Sequence, residues 1–381
     1  MNFDESINRR GTDSLKWNLY ANTEVLPMWV ADMEFRAPQA MLDALSARLA
    51  HGIIGYSEPP PALTDAIVAR MASAYEWVVQ PEHVVYIGGV VPALNMVSRA
   101  FAEPDQMVAT PVPIYHPFLA APGQQEREIL HLQAPQRGGR FVFPVEALAE
   151  AADAYNIGVL LLCNPYNPVG RVLGRSELSA IVDICAARDI TICSDEIHCE
   201  LILDEARHVP TASLSVAAAA QTITLMSHTK TFNVAGIAGG FAIIANDSLR
   251  RRFEAIAKGL TPAIGPLMYE SMLAAFTRCD DWRGALLDYL RGNRDWLEAE
   301  VAGMDGISMT HVEGTYLAWI DVTALDLSDP KTYFEGFGVG FSPGSQFGDS
   351  AFIRLNFACS RAMLTEAVAR MRSGVEAAQT C

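Results

Sequence analysis

The stretch Ile190-Thr-Ile-Cys-Ser-Asp195-Glu-Ile-His198 decides the fold. Its first half lacks the apolar–polar alternation of a strand with one wet face, so it reads as a strand buried on both faces of a mostly parallel sheet. It ends on a carboxylate, which is costly to bury without a cationic partner. Comparable apolar runs recur at Val84–Ile87, Met107–Thr110, Glu128–Leu132, Gly158–Cys163, Thr222–Met226 and Phe241–Ala245. Between them, Pro144–Ala154 and Arg175–Arg188 have helix-forming composition and one apolar stripe. This alternation defines an α/β protein, in which ligands bind beyond the carboxyl ends of the strands.

From about residue 248 to 303 the chain reads as successive helices, with breaks near Thr261-Pro262 and Asp280-Asp281. Strand-like Thr315–Ile320, Val339–Phe341 and Phe352–Asn356 follow, then a helix from about Ala362 to Ala378. The expected organisation is an N-terminal segment at 1–44 packing on two domains, a large α/β domain at 45–280 and a smaller α+β domain at 281–381.

The 381 residues carry 44 acidic and 28 basic side chains, a formal net charge of −16, with no basic cluster suited to phosphate backbones, so no nucleic-acid partner is expected. The most apolar stretches fall far short of the roughly 18 residues of a membrane span, and no membrane partner is expected. The opening residues Met1–Arg10 lack the pattern of a secretory signal. Seven cysteines, odd in number and without a Cys-x-x-Cys pair, read as reduced thiols of a cytoplasmic protein with no metal site.

The remaining question is what stands at the strand ends. Val84–Ile87 runs into Gly88-Gly-Val-Val-Pro92, a glycine pair opening a helix whose first N–H groups suit a phosphate, or else an ordinary strand-to-helix turn. Cys163 leads into Asn164-Pro-Tyr-Asn167-Pro-Val-Gly170, where two Asn-Pro steps make a stiff loop presenting Asn167. Asp195 ends its strand as a carboxylate in need of a cation, a structural arginine being the plain alternative to a ligand. Thr222–Met226 leads to Ser227-His-Thr-Lys230-Thr-Phe-Asn-Val-Ala-Gly236, a lysine flanked by hydroxyls that is either solvated or a desolvated nucleophile. Together, a phosphate cradle, an Asn, a buried Asp and a Lys on successive strand ends meet the needs of pyridoxal 5′-phosphate: a Schiff-base lysine, a phosphate site and a carboxylate for the pyridine nitrogen.

These residues resemble fold type I, class I/II aminotransferase-like enzymes, and in particular the MalY/PatB-type cystathionine β-lyases, or C–S β-lyases. The resemblance runs from about residue 9 to 375, through Gly11–Trp17, Leu26–Phe35, Gly55-Tyr56-Ser57, Pro113–Phe118, Cys163–Arg171, Ser194–His198, Thr229–Gly236, Glu313–Tyr316 and Phe352–Ala358. It implies the pyridoxal phosphate-dependent transferase (aspartate aminotransferase-like) fold, with a mostly parallel sheet in the large domain. It further implies that Lys230 bonds the cofactor and later shuttles the Cα proton, that Asp195 holds the pyridinium and that Asn167 bonds the phenolic oxygen. Tyr115 would stack on the ring, and Val90 and Val91 N–H groups with Ser227 would bind the phosphate. Tyr56 would reach the cofactor site of the other subunit of a homodimer, Arg354 would clamp the substrate α-carboxylate, and Trp29, Ala31 and Asp32 would approach the substrate.

Several positions depart from the family pattern. His198 stands where many aminotransferases place a tyrosine that tunes the cofactor's oxygen, so the resemblance makes it a cofactor-binding residue, and Ala238 stands at a common phosphate-arginine position. Tyr166 replaces a frequent His, and His228-Thr229 a frequent Pro-Ser. The expected activity is β-elimination from an amino acid bearing sulfur at Cβ, such as cystathionine or a cysteine S-conjugate. The alternatives are an aminotransferase and a pyridoxal phosphate-binding regulatory or interaction protein.

Overall fold

A computed structural model describes residues 1–261 and 263–380. Pro262 of the expected helix break, and Cys381 of the expected thiols, lie outside the described residues. The strands of the main sheet are β1 (Val84–Ile87), β2 (Met107–Val112), β3 (Ile129–Gln133), β4 (Ile157–Cys163), β5 (Thr191–Asp195), β6 (Thr222–Met226) and β7 (Gly240–Ile243). They lie in the spatial order β1-β7-β6-β5-β4-β2-β3. Only β7 runs against the rest, antiparallel to both β1 and β6.

The continuous apolar character of β4 has a direct structural cause. Val159, Leu161 and Cys163 pack on one face with Leu94 and Val97 of α1 (Val90–Phe101), whereas Leu160 and Leu162 pack on the other with Leu178 and Ile181 of α2 (Arg175–Ala186). A strand covered on both sides leaves no position for a polar residue until it ends, and each buried aliphatic side chain adds about 1.5–3 kcal/mol. Cys163 and Asp195 are register partners on neighbouring strands, so the carboxylate emerges on the α1 side of the sheet.

The expected helical region resolves into Asp247–Ala257, α3 (Pro266–Arg278) and α4 (Asp280–Ala302). A second, antiparallel sheet contains β8 (Ser308–Met309), β9 (Leu317–Asp321), β10 (Ser342–Pro343) and β11 (Phe352–Asn356), in the order β8-β9-β11-β10. The expected strand Val339–Phe341 is shortened to Val339–Gly340, and a separate strand follows it. Val339–Gly340 pairs with Leu26–Pro27, and only Ser342–Pro343 joins this sheet. The pairing draws the N-terminal segment onto the C-terminal half, where Met28, Met33 and Phe35 share one core with Leu317, Ile353 and Leu355. Among the described residues no helix is long and apolar enough to cross a membrane.

Candidate active site

A cavity of about 340 Å³ opens at the carboxyl ends of β1, β2, β4, β5 and β6. Its lining includes Lys230, Asp195, Asn167, Tyr115, His198, Ser227, Val90, Val91 and Ala31, which the sequence marks from widely separated motifs. Gly88, Gly89, Cys163 and Thr229 also line it.

Helix α1 aims its N-terminus at one end of the cavity. Gly89 precedes it at φ 150°, a backbone conformation favourable only for glycine, and the first-turn N–H groups that include Val90 and Val91 have no intrahelical acceptors. A Cβ at Gly88 would meet nothing within 4 Å, so the missing side chain is what leaves this end open. Across it, the Ser227 hydroxyl donates to the Gly239 carbonyl at 2.7 Å and accepts from the Thr229 N–H at 3.2 Å. To serve an anion the Ser227 hydroxyl must turn its one proton away from Gly239, and Thr229, with its hydroxyl 3.0 Å from that of Ser227, is then free to donate beside it. Thr229 had no assigned role, although a hydroxyl beside the lysine was a legible signal.

Asp195 is buried, and Oδ1 accepts from the Ile197 N–H at 3.0 Å. Among the described residues no lysine or arginine lies within ion-pair distance of it, so the structural-arginine alternative is not what the fold provides. Burial, reinforced by Glu196, pushes its carboxyl up to about 7, against the opposing pull of the Ile197 N–H and Lys230. Lys230 Nζ donates to the Ala31 carbonyl at 2.8 Å. Burial and then Arg354 bring its amine down to about 8, while Asp32 and Asp195 oppose the shift. His198 is held neutral, its pKa lowered to about 3 by burial first and then by Lys230 and Arg354.

Arg354 lies on β11, in register with Trp319 of β9 and Ser342 of β10, and is only 4% exposed. Its guanidinium donates to Asn167 Oδ1 at 3.0 Å, Ser342 Oγ at 3.2 Å and the Trp29 carbonyl at 3.4 Å, and sits 4.5 Å over the Phe347 ring. Every partner is neutral and Nε has none, which leaves a buried cation arranged for an incoming carboxylate. Burial lowers its pKa to about 10. Asn167 Oδ1 is thereby occupied, and the amide nitrogen is the end left for a ligand oxygen. The loop holding Asn167 turns at Gly170, where φ is +75° and a Cβ would press on Val312 at 3.0 Å. Both Asn-Pro bonds in it are cis.

Tyr115 lines the cavity with its backbone N–H on the Asn167 carbonyl at 3.1 Å, and burial raises its pKa. Trp29 contributes its carbonyl to Arg354 and turns its indole N–H to the Lys16 carbonyl at 3.1 Å. Asp32 binds Arg9 at 2.7 Å and lies 3.6 Å from Lys16 Nζ. Tyr56 is brought to no part of this cavity within its own chain and is fully exposed. Tyr316 and Phe347 are site neighbours to which the sequence reading gave no role. Among the described residues no group of His, Cys, Asp and Glu could hold a metal.

The family model for class I and II aminotransferases matches residues 26–371. The chain belongs to that family. Among class I and II aminotransferase relatives, cystathionine beta-lyase PatB of Bacillus subtilis (strain 168) is 34% identical, with 98% of this chain and all of PatB covered. The crystal structure of OvoB superimposes with a TM-score of 0.95 at 42% identity, covering 98% of this chain and 99% of that one. Cystalysin from Treponema denticola, which contains a pyridoxal 5′-phosphate cofactor, superimposes with a TM-score of 0.93 at 30% identity over 99% of both chains. The expected fold, a mostly parallel sheet of the aminotransferase type joined to a smaller α+β unit, is the one present.

Proposed function

We propose that the chain is a pyridoxal 5′-phosphate-dependent C–S β-lyase that cleaves cystathionine or a related cysteine S-conjugate to a thiol, pyruvate and ammonia. The observation carrying the cofactor part of this reading is the convergence, on one cavity, of a desolvated lysine, a buried carboxylate and a buried arginine that, among the described residues, have no opposite charge in ion-pair contact, and the likeness to cystathionine beta-lyase PatB supports elimination as the reaction. The cavity also fits the cofactor chemically: the α1 N-terminus with Ser227 and Thr229 would hold the phosphate, Asp195 the pyridine nitrogen, Asn167 the phenolic oxygen and Lys230 the carbonyl carbon, with Tyr115 against the ring. When bound, pyridoxal phosphate supplies an electron sink for charge developing at the substrate Cα.

The chain's own groups do the rest. Arg354 takes the substrate α-carboxylate, fixing which face of Cα meets Lys230. A lysine with a pKa near 8 is partly neutral at physiological pH and can accept the Cα proton. As the Cβ–S pair leaves with sulfur, the pair released at Cα becomes the Cα–Cβ double bond, and the lysine ammonium can return its proton to the thiolate. Aminoacrylate then hydrolyses to pyruvate and ammonia.

The same reading divides the chain into a segment at 1–44, a cofactor domain at 45–280 and a smaller domain at 281–381. It also makes the protein a cytoplasmic homodimer. Six buried free thiols support a reducing setting. Exposed Ile53, Ile54 and Tyr56 on one short segment support burial against a second copy. The deciding experiment follows pyruvate and thiol together from L-cystathionine, using purified holoprotein without added keto acid. Equal yields over many turnovers are expected, and Lys230→Ala should abolish them. A single turnover restored only by a keto acid would make the protein an aminotransferase and overturn the reading, while cofactor binding without turnover of any amino acid would favour a regulatory role.

A further inference from the structure

Residues 29–34 form a largely covered segment without helix or strand, with Ala31, Met33 and Glu34 buried, so their backbone polar groups must find partners elsewhere. They find them on side chains from distant motifs. Asn356 Nδ2 donates to the carbonyls of Val30 and Asp32, both at 2.7 Å, and its Oδ1 accepts from the Ala358 N–H at 2.8 Å. Lys16 Nζ also reaches the Asp32 carbonyl, at 3.2 Å. Asn233 accepts from the Met33 N–H at 2.8 Å and donates to the Met33 carbonyl at 3.0 Å. The one carbonyl left between the two held by Asn356 is that of Ala31, and on it converge Lys230 Nζ at 2.8 Å and the Tyr316 hydroxyl at 3.1 Å.

We infer that the Ala31 carbonyl is the acceptor that orients the Lys230 amine whenever that amine is free, and that Asn356 and Tyr316 are positioning residues that hold this carbonyl in place. Three features carry the inference. Asn356 is 1% exposed and has both amide hydrogens and its oxygen committed to this corner of the fold, so it fixes the 30–31 and 32–33 peptides that flank the peptide carrying the Ala31 carbonyl. A carbonyl oxygen has two lone pairs, enough for both Tyr316 and Lys230. A proton-transferring amine must also be aimed, because small misplacements of a reacting group cost rate steeply. When the neutral amine takes the Cα proton, a C–H bond breaks and an N–H bond forms. The ammonium so made gains a charge-assisted bond to Ala31 and remains in reach to give the proton back.

The inference rests on Lys230 being the base of the proposed reaction, and two measurements separate it from the lyase assignment. The first uses the cofactor-free full chain and acetic anhydride labelling of Lys230 against pH, read by peptide mass spectrometry. With the Ala31 carbonyl no longer held in line the ammonium is less stabilised, so in Asn356→Ala and Tyr316→Phe the labelling midpoint should move to lower pH and the amine should label several-fold faster. The second uses holoprotein with L-alanine in D2O, following loss of the Cα proton by NMR. Alanine has no leaving group, so this exchange reports the lysine step whether the enzyme eliminates or transaminates. In both variants the maximal exchange rate should fall about tenfold, with the alanine concentration at half-maximal rate within about twofold of wild type. Unchanged labelling in both variants, or a weakened alanine affinity with the maximal rate intact, would overturn the inference and leave the segment a substrate-contacting wall only. Tyr316→Phe removes one hydroxyl, so it retains the test should Asn356→Ala fail to fold.

Discussion

Lys230, Asp195 and Arg354 are each displaced toward neutrality by burial, and each is also shaped by the other charges around the cavity. The signs can be tested one at a time. In the cofactor-free protein Lys230 should titrate near 8. Arg354→Gln should raise that value by removing a nearby positive charge, and Asp195→Asn should lower it by removing a negative one. Labelling midpoints for the three proteins check both directions. Asp195 also predicts a stability trend. Its folded pKa, raised from 3.8 to about 7, means that the folded state keeps a proton the unfolded state has lost. Its contribution to stability is therefore fully present below about 4 and is lost as pH rises to about 7. Urea midpoints of the cofactor-free protein at pH 5 and 7 should show a difference that Asp195→Asn reduces. In catalysis, Arg354→Gln should weaken amino-acid binding by roughly ten- to a hundredfold, the usual worth of a charge-assisted hydrogen bond, measured as KM. Lys230, Asp195 and Asn167 were legible because each lies at the end of an apolar run or in the turn just beyond it. The positions of Thr229 and Phe347 against the ligand groups were not, because side-chain direction in a turn is set by packing.

At the scale of elements, period and punctuation carried most of the information. An unalternating run of strand length, rich in Val, Ile and Leu, reads as a strand covered on both faces, and β4 shows why: neighbouring residues enter two different cores. Leu161→Ala should accordingly cost about 2–5 kcal/mol in urea unfolding of the cofactor-free protein. The glycine pair before α1 was legible as a helix opening, but its openness was not. Gly88 has space beyond its Cα and no unusual φ, so Gly88→Val should preserve the fold while filling the phosphate end. An unchanged circular dichroism spectrum with sharply weaker pyridoxal phosphate binding, by absorbance titration, is the expected result. The pairing of Val339–Gly340 with the N-terminal segment, and the separate strand at Ser342–Pro343, escaped the sequence because so short a run contains nothing that names its partner.

For the whole molecule, the exposed Ile53, Ile54 and Tyr56 predict that Ile54→Asp shifts the protein toward monomer in sedimentation, with activity falling in step if Tyr56 serves the other subunit's site. Local pattern and motif by themselves determined that the chain is α/β, which runs form its buried strands, and which lysine, carboxylate and amide end them, since burial periodicity and turn chemistry act over a few residues. Only the tertiary structure decided that Arg354 would contact Asn167, 187 positions away along the chain, with no acid in ion-pair contact among the described residues, or that Lys230 and Tyr316 would share the Ala31 carbonyl. Those contacts arise when two sheets and an irregular segment pack against one another. The balance of desolvation and charge they create belongs to the assembled interior and to no single stretch of chain.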